Sequence, residues 1–228
     1  MNTVEMISKF EQSVREGFAN YTKFGTRSNK RILPIHDFVS DLLSEIFGDN
    51  FIVEKEYNIH GFLYQKKVDI VVLEKNSKTP VFCIGVKFIT RNYKQNANNY
   101  FEGMIGETSN VQRSGVPYAH LIIMRDEVPY YKRSGKKTKN ELINMRDIQK
   151  YFNLISDKSE SITPFSIAVP FFHINEETCE TKILESNEIM FLNTSDNSGN
   201  MEKYNSLLSL SNFVENIISY RNTLKEYN

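Results

Sequence analysis

The sequence predicts an α/β protein in which helices cover a central β-sheet of mixed strand direction. One observation is a helical face, since residues 35, 38, 39, 42, 43 and 46 are all apolar. Another is a set of short apolar runs rich in Val, Ile and Phe, each bounded by turn residues. The order of these patterns is a helix, a hairpin and a third strand, followed by helix, strand, helix and strand, which is typical of a helix-covered sheet.

The individual elements follow from local signals. Weak helical periodicity covers residues 4–21, and the apolar helix that follows begins at Pro34 and ends near Gly48. Gly61 is expected to lie in a turn that joins the strands "NFIVEKEYNI" and "QKKVDIVVLEK" into a hairpin. The segment "NSKTP" is expected to form the next turn, which leads to the strand "VFCIGVKFI". The rest is predicted as a polar loop "TRNYKQNAN", a helix "NYFEGMIGETSNVQ", a strand "YAHLIIM", a helix "TKNELINMRDIQKYFNLI", a strand "PFSIAVPFF" and a helix over 201–226.

Composition indicates a globular protein without a membrane role. Hydrophobic residues make up 40% and charged residues 25%, no apolar run is long enough to span a bilayer, and the N-terminus lacks signal-peptide character. We therefore predict a cytoplasmic protein with one domain over residues 1–228, with a core at about 30–175 and a helical extension at about 200–228. No glycine-rich phosphate loop occurs, so no nucleotide cofactor is expected. The 28 basic and 28 acidic residues cancel, which disfavours a non-specific nucleic-acid coat but leaves local basic clusters.

An acid and a lysine are expected to meet on neighbouring strands. Strand alternation puts Cys83, Gly85 and Lys87 on one face, and a turn at residues 76–78 sets Asp69 opposite the 85–87 region. One interpretation is a partly buried ion pair between Asp69 and Lys87, which would stabilise the fold only weakly. The other is a hydrolytic site, in which Asp69 binds a divalent cation and Lys87 orients water and stabilises an anionic transition state.

The arrangement resembles the PD-(D/E)XK nuclease superfamily, and within it the type II restriction endonucleases. The resemblance covers roughly residues 30–125 and rests on "VD" at Val68-Asp69 and "IGVK" at Ile84 to Lys87, where the family has hydrophobic-(Glu/Asp)-x-Lys. It implies a restriction-endonuclease-like core and Mg²⁺-dependent cleavage of double-stranded DNA by a homodimer. Asp69, the residue-85 position and Lys87 would then be catalytic, and Asp69 with the Val86 carbonyl would hold the metal.

The sequence departs from this family at the second acid, where Gly85 stands instead. Three explanations remain open. A single-base change from a glutamate codon, which leaves an impaired enzyme, is preferred. In the second explanation, the acid has migrated to the next helix, where Glu102 is the first candidate and Glu107 the second. The last explanation is a natural homologue that binds DNA without cutting it. For the function as a whole, a repair or resolvase-type nuclease of the same fold and an α/β interaction domain with no DNA role also remain open. A glycine that only permits close backbone approach is the structural alternative.

Accessory residues are predicted from position. Glu45, at the edge of the first core helix, is expected to be an additional metal-binding carboxylate, with Glu54 and Glu56 as weaker alternatives. Donor-rich segments after the motif strand and in a later basic loop are expected to contact DNA phosphates or bases. These DNA-binding candidates are Arg91, Asn92, Lys94, Gln95, Asn96, Lys132, Arg133, Lys136 and Lys137. The four histidines show no paired spacing and receive no chemical role.

Overall fold

The structure is a computed structural model that describes residues 2–193 and 199–225. Within these residues, none of the helices has the length and apolar character needed to cross a membrane. The helices are α1 (Thr3–Phe24), α2 (Leu33–Phe47), α3 (Tyr93–Gln112), α4 (Met145–Ile155), α5 (Asn200–Leu207) and α6 (Leu210–Lys225). The strands are β1 (Phe51–His60), β2 (Gln65–Glu74), β3 (Pro80–Ile89), β4 (Tyr118–Arg125), β5 (Glu127–Tyr131), β6 (Lys137–Leu142), β7 (Ile167–Ala168), β8 (Phe171–Ile174) and β9 (Thr181–Ile183).

The main sheet has mixed strand direction, as the sequence predicts. Its order is β1-β2-β3-β4-β8-β9, and β7 pairs with β4 beside this path. The first three strands are antiparallel, whereas β4 runs parallel to β3, β7 and β8. Parallel neighbours need a crossover connection, and α3 provides it between β3 and β4. The α/β fold class with flanking helices and C-terminal helices is therefore confirmed.

Helix α2 forms because its apolar residues fall on one face and because proline and glycine define its two ends. Pro34 lies in the first turn, and Gly48 follows the last turn with φ of 75°, a conformation that favours glycine. The buried face packs with α1, with α6 and with side chains on one face of β2 and β3, such as Ile70 and Ile84. The opposite face of these strands packs Val71 and Cys83 against α3 and β4. The predicted alternation along β3 is thus confirmed.

Three predicted elements have different bounds in the structure. Residues 138–142 belong to β6, because the side chain of Asn144 caps α4 in a reciprocal pair with Asp147 and so begins the helix later. The segment predicted as a polar loop contains the first turn of α3, because buried Tyr93 anchors it. The last predicted strand is divided into β7 and β8 at Pro170, which has no N–H for ladder pairing.

Candidate functional site

Asp69 lies where strands β2 and β3 separate. The hydrogen-bond ladder between the two strands ends at the pair Ile70 and Ile84. Beyond this pair, the carboxylate of Asp69, rather than a backbone carbonyl of β2, accepts from the backbone of β3. Its Oδ2 accepts a hydrogen bond of 2.7 Å from the Val86 N–H. The side chain of Asp69 is thereby fixed beside the segment that carries Gly85 and Lys87.

Glu107 of α3 faces Lys87 across this opening. The Lys87 Nζ lies 4.0 Å from Glu107 Oε1, and the Lys66 Nζ lies 2.7 Å from the same oxygen. The Tyr118 hydroxyl donates to the other oxygen, Oε2, at 3.3 Å. The Glu107 side chain is 17% exposed and that of Lys87 is 37% exposed, so the lysine reaches solvent while the acid is held beneath it.

The space beside Gly85 is already filled. A Cβ atom built on Gly85 would lie 2.6 Å from the Tyr118 hydroxyl oxygen and 3.1 Å from His120 Nδ1. Both groups belong to β4, and Gly85 pairs directly with His120 in the parallel ladder. A larger residue at position 85 would therefore have to displace buried groups. The space beside Gly85 is therefore occupied by buried side chains of β4.

Burial and charge set the protonation of these groups. Burial raises the pKa of Asp69 above its ordinary value, although the Val86 N–H and the Lys87 charge oppose this. For Glu107 burial acts in the same direction, but the charges of Lys87 and Lys66 outweigh it and the pKa lies below its usual range. Complete burial lowers the pKa of His120 to about 3, so its imidazole is neutral at neutral pH.

Two buried histidines adjoin the site, and neither is identified by the spacing of histidines along the chain. The His120 Nε2 is 2.8 Å from the Thr108 hydroxyl of α3, and its Nδ1 has no hydrogen-bond partner within the described part of the chain. His36 of α2 lies on the other side of Asp69, with its Nδ1 3.7 Å from Glu56 Oε1. A histidine on an apolar helix face next to a strand acid is the signal that could have identified His36.

Glu45 and Glu102 are not brought to Asp69. Glu45 lies nine residues beyond His36 on α2, which is about 13 Å along the helix axis, and it lines a surface pocket with Thr3. Glu102 is exposed on α3, five residues before Glu107 and so roughly 140° around the helix from it. Among the acids of α3, Glu107 is the one that faces the motif strand.

The residues after the motif strand mostly make internal contacts. Asn92 has left-handed backbone geometry with φ of 52° and joins α3 to β5, because its side chain donates to the Tyr131 carbonyl and accepts from the Tyr131 N–H. Further contacts join Arg91 to Thr26 at 3.1 Å, Asn92 to Gln95 at 3.1 Å, Asn96 to the Asn92 carbonyl at 2.9 Å and Lys94 to Asp147 at 3.2 Å. The prediction that Lys94, Gln95 and Asn96 lie in an open loop is wrong, since they form the first turn of α3.

Residues 132–136 of the predicted basic loop form the exposed turn of the β5–β6 hairpin, whereas residues 137–139 belong to strand β6. Lys132, Arg133 and Lys136 project into solvent, while Lys137 forms an ion pair of 3.0 Å with Glu176. Because Asn92 ties this hairpin to the segment just after β3, the basic turn belongs to the same edge of the sheet as Lys87. Arg31 adds positive charge there, since it donates to the Phe88 carbonyl at 2.9 Å.

Comparisons with known proteins give little beyond the geometry. No protein-family model matches the chain, and no curated protein matches it. Among solved structures, a cryo-EM structure of a DrdV–DNA complex aligns with 10% sequence identity and a TM-score of 0.33. The alignment covers 61% of this chain and 12% of that chain. A likeness at this level says nothing about the activity of this protein.

Proposed function

We propose that this protein hydrolyses phosphodiester bonds of double-stranded DNA, in the manner of the type II restriction endonucleases, with Glu107 in place of the missing second acid. The observation that supports the proposal is the convergence of Asp69, Lys87 and Glu107 where β2 and β3 separate. Two carboxylates and an ammonium group at a partly exposed strand opening suit a reaction that must bind a cation and stabilise an anionic transition state.

Each residue has a role that its surroundings support. Asp69 offers a carboxylate for Mg²⁺, an ion that takes one or two protein carboxylates and keeps several waters, and the bound ion would polarise the scissile phosphate. Lys87 points its ammonium group towards solvent, where it can position water and neutralise phosphate charge. Glu107, whose Oε1 lies 4.0 Å from the Lys87 Nζ, would be the second carboxylate facing the ion. It keeps its negative charge near neutral pH, because the charges of Lys87 and Lys66 lower its pKa.

The Val86 carbonyl is retained as a further oxygen ligand in this proposal, because Val86 already meets Asp69 through its N–H. Glu45 is not retained, since it lies at the far end of α2. DNA would approach the edge that carries Lys87 and the β5–β6 turn, where Lys132, Arg133 and Lys136 can contact phosphates. We extend the proposal to a homodimer, because a twofold enzyme matches a palindromic site.

The second candidate is a homologue that binds DNA without cutting it. The observation in its favour is that Tyr118 and His120 fill the space that a residue-85 carboxylate would need. In that case Lys66 and Lys87 neutralise Glu107 as a structural group, and DNA affinity depends only on the basic edge.

Cleavage assays separate the two candidates. Plasmid and phage DNA are incubated with the wild-type protein, Lys87→Ala and Glu107→Gln, each with and without Mg²⁺ or Mn²⁺. Discrete fragments from the wild type that are lost in both variants are the expected result. Glu102→Gln is the matched control, because it changes an exposed acid of the same helix. Salt-sensitive binding without cleavage would favour the non-catalytic candidate, and cleavage that survives Glu107→Gln would remove this acid from the mechanism.

A further inference from the structure

His36 is a buried histidine whose ring has no hydrogen-bond partner. Its relative exposure is 1%, and neither Nδ1 nor Nε2 makes a hydrogen bond within the residues that the structure describes. Leaving a buried donor and a buried acceptor unpaired is unfavourable, so such a ring calls for an explanation. Two carboxylates adjoin the ring, since Glu56 Oε1 lies 3.7 Å from Nδ1 and an oxygen of Asp69 lies within 4.8 Å of a ring nitrogen.

Glu56 is directed to this position by an unusual backbone. Its φ is 54°, in a region that residues other than glycine and asparagine rarely occupy. The β1–β2 ladder pairs Lys55 with Ile70 and Tyr57 with Val68, so Glu56 lies across from Asp69 between these pairs. The Lys67 Nζ is 2.9 Å from Glu56 Oε2, which leaves Oε1 as the oxygen turned towards His36. Backbone strain of this kind tends to persist where it places a functional group.

One donor atom from each of His36, Glu56 and Asp69 lies within 4.8 Å of the other two. Ligands at about 2.1 Å from a tetrahedral ion stand about 3.4 Å apart. The three side chains would therefore have to close by little more than an ångström. Glu56 can supply most of this movement, because its side chain is 42% exposed and is not packed in the core.

We propose that His36, Glu56 and Asp69 form a binding centre for a divalent cation of the first transition series, such as Mn²⁺, Co²⁺ or Zn²⁺. An imidazole nitrogen favours these ions over Mg²⁺ and Ca²⁺, which prefer sites made only of oxygen. Burial lowers the pKa of His36, so the ring presents a lone pair rather than a charge near neutral pH. The two carboxylates balance the charge of the ion.

This centre shares Asp69 with the proposed nuclease site but lies on the α2 side of it, away from Glu107. The inference does not rest on the proposed function, because cation binding is measured without DNA. A protein that binds the ion at this centre and cuts no DNA would remove the proposed function and leave the centre intact.

The test uses Co²⁺ as a spectroscopic probe. The wild-type chain is stripped with a chelator and titrated, and visible d–d absorption reports coordination by protein ligands. We expect one Co²⁺ per chain, displaced by Zn²⁺ and by an excess of Mn²⁺ but not by a hundredfold excess of Mg²⁺. His36→Gln and Glu56→Gln should each weaken Co²⁺ binding at least tenfold. Glu54→Gln is the matched control, since it removes an exposed acid two residues away on the same strand and should leave binding unchanged.

Three results would overturn the inference. The first is no stoichiometric binding of Co²⁺ by the wild type, and the second is wild-type affinity for Co²⁺ in both His36→Gln and Glu56→Gln. The third is loss of binding in Glu107→Gln but not in His36→Gln, which would put the ion on the α3 side of Asp69. Thermal unfolding of each variant guards against misfolding, and Glu56→Gln is the decisive variant because its side chain is half exposed.

Discussion

Adding a methyl group at Gly85 should destabilise the fold through a contact with Tyr118. The new Cβ would lie 2.6 Å from the Tyr118 hydroxyl oxygen, about 0.8 Å inside the ordinary contact distance of 3.4 Å. Overpacking of a buried site costs about 1–3 kcal/mol. We expect Gly85→Ala to lower the free energy of unfolding by about 2 kcal/mol, measured by urea denaturation.

Removing the hydroxyl should relieve much of this cost. Tyr118→Phe alone loses a long hydrogen bond to Glu107 and is expected to cost about 1 kcal/mol. The double variant should be more stable than the sum of the single effects by about 1 kcal/mol, because the two changes act on one contact. Relief is partial, since His120 Nδ1 also stands 3.1 Å from the new atom.

A glycine in an open position provides the control. Gly103→Ala, at an exposed helical glycine with no atom within 4 Å of its Cβ position, should raise stability by about 0.5–1 kcal/mol. Additive effects of Gly85→Ala and Tyr118→Phe would contradict the packing described around Gly85.

Three further outcomes are expected. The pKa of His120 is about 3 in the folded protein, against an ordinary value of 6.5, so the unfolded chain binds a proton that the folded protein does not. The free energy of unfolding should therefore decrease as the pH is lowered below 6.5, by about 2 kcal/mol at pH 5. His120→Gln should reduce this pH dependence, measured by urea denaturation at several pH values. Asn110 is buried and bonds the backbone of the β1–β2 turn through Oδ1 and Nδ2, so Asn110→Ala should cost about 2 kcal/mol and increase amide exchange in the turn; unchanged exchange would contradict this. Replacing Lys132 or Arg133 by alanine should lower the salt dependence of DNA binding by about one unit each, and an unchanged slope would exclude the β5–β6 turn from the interface.

The fold class and the meeting of the motif strands could be predicted because the signals are local. Apolar periodicity identifies α2, and the turn after Glu74 fixes the register that brings Asp69 to Val86. Strand alternation then puts Lys87 on the same side as Cys83 and Gly85 without any reference to other elements.

The partners of Lys87 could not be predicted in the same way. Glu107 and Tyr118 reach it from α3 and β4, and their meeting depends on how α3 is rotated about its axis. Tyr93 and Ala97 continue the apolar stripe that includes Met104, but their polar neighbours led to a loop assignment and obscured the helix start. Without that start, the rotation of α3 and hence the choice of Glu107 over Glu102 could not be predicted.

The most direct test of the central claim is DNA cleavage by wild type, Lys87→Ala and Glu107→Gln side by side, with Glu102→Gln as control and a divalent cation present. We expect discrete fragments from the wild type and the control, and none from the other two variants. Wild-type protein that binds DNA but leaves it intact, or Glu107→Gln that cuts as the wild type does, would contradict the proposed mechanism.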